Sequence, residues 1–169
     1  MSLILIGGGA RSGKSRHALQ IARRCGSRLA FVATATVTDD EYRDRIALHR
    51  QERGPEFTTF EEPLAVSSLI EAQSSGFDAV VVDCLTLWMS NLMYAASYHI
   101  DEECRHLVRA AASAPAPVIL VTNEVGCGIV PENALARQFR DRAGKLNQQA
   151  AEAAAEVYWM VFGIPLKVK

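Results

Sequence analysis

The residues best suited to chemistry stand early in the chain: Gly8, Gly9, Ala10, Arg11, Ser12, Gly13, Lys14 and Ser15. They match GxxxxGK[ST], the phosphate-binding loop (P-loop), and they lie between a short apolar run and a helical segment, the context that gives this motif its meaning. The glycines let the backbone turn tightly and aim its N–H groups at phosphate oxygens, and the helix that follows adds its positive end. Lys14 brings an ammonium to the β- and γ-phosphates, and the Ser15 hydroxyl can ligate Mg²⁺. A plain Gly-rich turn is the weaker reading, given the flanking strand and helix. Such a loop calls for an acidic partner. Asp83 closes the apolar run AVVVD over residues 79–83, at the edge where ligands bind in open α/β sheets. There it could hold Mg²⁺ directly or through water. The alternative is an Asp that caps the next helix, with Thr86 three residues on.

His49 is the most informative of the four histidines. Tyr42, Ile46, His49 and Arg53 follow helical spacing and share one face, with Arg45 one turn before the histidine. A neutral imidazole is a competent nucleophile towards phosphorus near pH 7. Neighbouring arginines would keep it neutral and stabilise charge on the attacked phosphate. A helix histidine beside arginines is more often a packing or hydrogen-bonding residue, so the pattern alone does not assign the role. His17 falls on the P-loop helix, and His99 and His106 read as surface residues.

Positioning these groups requires alternating strands and helices. Residues 2–6, 28–33, 79–83 and 118–122 read as buried strands, because each is a short apolar run. Residues 15–25, 38–53, 64–74, 85–96 and 101–112 read as helices, with Thr38 or Asp39 and Asp101 near their caps. Residues 132–156 read as a long helix interrupted at Gly144. Residues 157–162 and 166–168 resemble a closing hairpin around Gly163, Ile164 and Pro165. Strands separated by helices imply parallel βαβ units. The expected fold is therefore α/β and P-loop NTPase-like: a mostly parallel central sheet flanked by helices, with a C-terminal antiparallel hairpin, in one domain over residues 1–169.

Composition narrows the function classes. The chain has 169 residues, 49% hydrophobic and 22% charged, with a formal net charge of -1. This is the profile of a globular protein without the basic excess that a nucleic-acid partner calls for. No stretch approaches the roughly 20 apolar residues of a membrane span. Cys25, Cys84, Cys104 and Cys127 form no CxxC pair and no zinc-finger spacing, so a reducing, cytoplasmic setting is expected.

Several segments occur together in order: GGARSGKSRHA, VATATVTDDEYRDRIALHRQER, FEEPL, VVVDCLTLWMSNL, TNEVGCGIVPENALARQFRDRAGKLNQ and GIPLKVK. Over nearly the whole chain this resembles the bifunctional adenosylcobinamide kinase/adenosylcobinamide-phosphate guanylyltransferase family of cobalamin biosynthesis. The resemblance implies that a nucleoside triphosphate, ATP or GTP, phosphorylates the aminopropanol hydroxyl of adenosylcobinamide. GMP then passes from GTP to that phosphate through a GMP–histidine intermediate, giving adenosylcobinamide-GDP and pyrophosphate. The family's RIxxHR pattern matches Arg45, Ile46, His49 and Arg50, which makes His49 the expected nucleophile. The implied nucleotide contacts are residues 8–15, Ala33, Thr34, Ala35, Arg50, Gln51, Glu52, Arg53, Glu61 and Asp83, with Mg²⁺ on Ser15 and Asp83. A homo-oligomer is implied too, a trimer being the candidate number.

Glu61 has a chemical reading, since a carboxylate accepts well from the N1–H and N2–H₂ edge of guanine, an edge adenine lacks. It could equally be a helix N-terminal acid preceding Pro63. Glu124 could orient the substrate or act as base for the hydroxyl, or its loop could pack against the P-loop helix or a neighbouring subunit. Phe57 stands near where many members carry Trp, and Glu156 where Asp is commoner.

Overall fold

The computed structural model describes residues 2–35, 53–95 and 99–169. Seven strands form one sheet: β1 (Leu3–Gly8), β2 (Leu29–Ala33), β3 (Phe57–Glu61), β4 (Ala79–Asp83), β5 (Val118–Val121), β6 (Glu156–Val161) and β7 (Ile164–Lys167). Their spatial order is β3-β2-β4-β5-β1-β6-β7. Every neighbouring pair is parallel except β6 and β7. The helices are α1 (Lys14–Cys25), α2 (Val66–Gln73), α3 (Leu85–Tyr94), α4 (Ile100–Ser113) and α5 (Ala134–Ala153). A 3₁₀ turn at Ser74–Gly76 follows α2.

β1, β4 and β5 are unbroken apolar runs because both faces of the sheet are covered. Successive side chains still alternate between the two faces. Leu3, Leu5, Val80, Val82 and Leu120 pack with Ile70, Trp88, Leu107 and Leu146 of α2 to α5. Ile4, Ile6, Val81, Ile119 and Val121 pack with Ala18, Leu19 and Ala22 of α1. Trp88 is fully buried, and its indole N–H donates to the Leu64 carbonyl at 2.8 Å.

The structure departs from the sequence expectations at several boundaries. β1 runs on through Gly7 and Gly8 into the P-loop. β3 is an addition to the expected strands: FTTFE has one fully buried residue, so it lacks the apolar run that marks β1, β4 and β5. Gly144 does not interrupt α5, since a lone glycine costs only about 1 kcal/mol against alanine in a helix interior. The long helix ends at Ala153, and Glu156 opens β6 instead. Pro165 lies inside β7, an edge strand, where a missing N–H is tolerated. Asp101 lies near the start of α4 as expected, in its first turn, with His99 at the N-cap position itself. The helix expected over residues 38–53 lies outside the described residues apart from Arg53.

Candidate functional site

The carboxyl end of β1 delivers the P-loop, and two neighbours hold that loop by its carbonyls. The Glu124 N–H, beyond the end of β5, donates to the Gly8 carbonyl at 3.0 Å; the Gly163 N–H, at the β6–β7 turn, donates to the Ser12 carbonyl at 3.1 Å. Glycine is required at two points. Gly8 has φ of 151°, and a Cβ there would meet Ser12 Oγ at 2.8 Å and the Met160 carbonyl at 2.9 Å. Gly13 is the left-handed N-cap of α1, with φ of 90°, and a Cβ there would stand 3.3 Å from Gly163 Cα.

Lys14 opens α1 and is buried. Its Nζ donates to the Gly9 carbonyl at 2.6 Å and lies 3.5 Å from Ser12 Oγ. An ammonium carries three donors, so these contacts still leave one for a phosphate. Burial pushes the Lys14 pKa down, and the Asp83 carboxylate pushes it back up. That coupling places the strand-end acid within electrostatic reach of the loop lysine, although β5 separates their strands. Ser15 follows in the first turn of α1, half-buried. A hydroxyl and a carboxylate are oxygen donors, the type a hard divalent cation takes beside a phosphate. Asp83 is not the cap of the next helix; Cys84 holds that position.

On the far side of β4, three of the expected residues stand in a row across the sheet edge. Ala33 pairs in register with Glu61 and with Asp83. Thr34 lies just beyond and is fully buried. Its N–H donates to the Asp83 carbonyl at 3.2 Å. Its hydroxyl donates to the Cys84 carbonyl and accepts from the Cys84 N–H, each at 2.8 Å, beside the cis Asp83–Cys84 peptide. Its carbonyl accepts from Asn91 Nδ2 at 2.8 Å. The polar groups of Thr34 therefore knit β2 to the β4–α3 junction. Ala35 is half-buried and Glu61 exposed. Glu61 ends β3 rather than leading a helix; the neighbouring Glu62 accepts from the Leu64 and Ala65 N–H groups in the turn before α2.

Arg53 sits elsewhere. It is buried, with its guanidinium 4.1 Å from the centroid of the Phe31 ring, partway down β2 rather than at its end. His49, Arg50, Gln51 and Glu52 lie outside the described residues. His17 packs edge-on against Tyr158, with ring centroids 5.1 Å apart, and burial pushes its pKa down. His106 pairs with Glu71 at 2.9 Å. Phe57 is buried under the Arg23 guanidinium, and Glu156 accepts from the Tyr158 hydroxyl. Neither departure from the family pattern meets the P-loop.

Sequence reasoning missed the groups that support this edge. Asn91 donates to Pro63 as well as to Thr34. Asn123 Nδ2 donates to Thr86 Oγ1 at 3.1 Å, and Thr122 Oγ1 donates to Asn147 at 2.8 Å. The available signal is a polar amide in a mostly apolar helix, as Asn91 is in LTLWMSNLMY.

The family described as cobinamide kinase / cobinamide phosphate guanyltransferase matches residues 4–168. The chain belongs to this family. It is 42% identical to the bifunctional adenosylcobalamin biosynthesis protein CobU of Escherichia coli (strain K12), over 99% of each chain. It is 40% identical to the bifunctional adenosylcobalamin biosynthesis protein CobP of Pseudomonas aeruginosa, over 98% of this chain and 96% of that one. Membership makes it a kinase and guanylyltransferase of cobalamin biosynthesis. Among solved structures, the RadB recombinase is similar with a TM-score of 0.52 at 19% identity, covering 94% of this chain and 73% of that one. A prototypical ATPase from the type III secretion system of pathogenic bacteria is similar with a TM-score of 0.54 at 12% identity, covering 98% and 56%. At such identities the likeness shows the P-loop NTPase fold alone. Among the described residues, no helix is long and apolar enough to cross a membrane.

Proposed function

We propose that this chain phosphorylates adenosylcobinamide with ATP or GTP, then transfers GMP from GTP to the product by way of a covalent GMP on His49. The observation that carries this reading is the two-part carboxyl edge: a carbonyl-clamped P-loop on one side and the row Glu61, Ala33 and Asp83 on the other. The P-loop takes the triphosphate. Lys14 neutralises phosphate charge, with Ser15 and Asp83 as the oxygen ligands for Mg²⁺. When bound, that ion would offset phosphate charge and help orient the triphosphate. Ala33, Ala35 and Glu61 flank the base.

In the transfer, a ring nitrogen of His49 attacks the α-phosphorus. An N–P bond forms, the bond to the bridging oxygen breaks, and pyrophosphate leaves with both electrons. An oxygen of the corrinoid phosphate then attacks the same phosphorus and the N–P bond breaks, restoring His49. The kinase step needs positioning and charge neutralisation and no covalent group on the protein. The same reading takes residues 1–169 as one domain, consistent with one continuous sheet, and the enzyme as a cytoplasmic homo-oligomer, with a trimer as the candidate number.

The test uses GTP labelled at the α-phosphate. Incubation with Mg²⁺ should leave acid-labile, base-stable label on denatured protein, and His49→Ala should carry none. Equal labelling of His49→Ala and wild type would remove the histidine from the mechanism.

A further inference from the structure

Two grooves on the carboxyl side of the sheet meet at Tyr94. One, of 290 Å³, lies between the end of α3 and the start of α5 and is walled by Met93, Tyr94, Leu135 and Phe139. The other, of 340 Å³, is walled by Pro63, Leu64, Asn91, Tyr94 and Ala95. Tyr94 is the ridge between them and is 79% exposed. Residues 125–135 continue this apolar surface back towards the P-loop: Ile129 is 97% exposed, and Val125, Val130 and Leu135 are exposed as well.

One groove is tied to the phosphate site by hydrogen bonds and the other by the chain that leads to it. Asn91, in the wall of one, holds the Thr34 carbonyl, and Thr34 in turn bonds Asp83. The segment leading to the other starts at Glu124, whose N–H holds the Gly8 carbonyl. The Asn133 side chain caps α5 by accepting from the Leu135 and Ala136 N–H groups, and the Arg137 guanidinium donates to the Pro131 and Glu132 carbonyls. The apolar side chains are therefore presented on an anchored backbone.

We propose that this surface, with Tyr94 as its ridge, holds the corrin macrocycle of the cobinamide substrate. The inference rests on the family's substrate class. The reacting hydroxyl must reach the P-loop while the ring to which its arm is attached stays outside, because a wide disc cannot be enclosed in grooves of this size. The ends of β2 and β1 are three strand spacings apart, about 14 Å, a span suited to a macrocycle lying at one end with its aminopropanol arm extended to the other. The chemistry also matches. The faces of the disc are apolar and its rim carries amides; the groove walls are aliphatic and aromatic, with Ser90 and Asn133 among them.

The experiment compares Tyr94→Ala and Leu135→Asp with wild type in the whole enzyme. Both sites are exposed, and neither belongs to the nucleotide machinery. The KM for adenosylcobinamide should rise on the order of 10-fold in each variant, the scale of losing an aromatic stacking platform. GMP labelling from GTP without corrinoid, and the thermal unfolding midpoint, should stay at wild-type values; Tyr94→Phe should keep most of the affinity. An unchanged KM in both Ala and Asp variants overturns the proposal. So does a change in sedimentation with KM unchanged, which would make the surface a contact between copies of the chain. Loss of GMP labelling would place the surface at the nucleotide and overturn it too. Wild-type protein that labels with GTP but converts no adenosylcobinamide would sink the substrate assignment itself, a failure visible before any variant is made.

Discussion

The P-loop and the β2–β3 end share one edge of one sheet, yet they are built in opposite ways. The loop is shaped by backbone: Gly8 and Gly13 take conformations in which a side chain would collide, and the Gly8 and Ser12 carbonyls are gripped from behind. The β2–β3 end is shaped by side chains. Thr34 and Asn91 spend their polar groups on the fold, while Glu61 stands exposed beside them. Backbone N–H groups recognise phosphate of any nucleotide, whereas choosing a base takes a side chain of fixed chemistry. On the proposed reading, generic and selective recognition are thus divided between two stretches of one sheet edge.

The largest way to break this comparison is Lys14→Ala. Loss of a preorganised charge on a transferring phosphate typically costs 10² to 10³-fold in rate, and Lys14 is the buried charge of the P-loop, opening α1. Both the kinase and the guanylyltransferase rates should fall by about 10³-fold. Retention of either rate would mean that the two reactions do not share the loop.

Thr34→Val should instead strike the scaffold. The hydroxyl sits between the N–H and carbonyl of Cys84, both in a buried setting. A methyl in its place leaves the Cys84 N–H without its partner, while the Cys84 carbonyl still accepts from the Trp88 N–H; the stranded donor costs about 1–3 kcal/mol. Urea unfolding should show that loss, and the KM for GTP should rise because Ala33 and Ala35 flank the residue. Unaltered stability would show that the Thr34 hydroxyl does not hold this end together.

The contrast also explains what is legible in the sequence. The P-loop is readable because its spacing is dictated by local backbone geometry, and Asp83 because it ends an apolar strand. The resemblance covers nearly the whole chain, and the family match agrees with it. β3 is hidden because its burial comes from pairing with β2 rather than from its own apolar residues. Thr34 reads as a nucleotide contact, yet its side chain serves a peptide 50 residues away in sequence. Asn91 is hard to read for the same reason: its polar type is visible in the helix, but a hydrogen bond spanning 57 residues gives no local sign of its partner. Gly144 invites the opposite error, a local penalty that a 20-residue packed helix overrides.

The finest test of the division is Glu61→Gln. A carboxylate offers only acceptors to the N1–H and N2–H₂ groups of guanine, and the amide replaces one of those acceptors with a donor. One hydrogen bond to a charged group contributes about 1.5–3 kcal/mol. Glu61 is exposed, so the lower end applies, about 10-fold in the KM for GTP in the transferase reaction. Phosphorylation of adenosylcobinamide with ATP should keep its rate, because adenine presents no such edge to lose. Equal weakening towards ATP and GTP would mean that Glu61 acts through charge at the site and does not read the base, and recognition on this side would then fall to the backbone, as it does at the P-loop.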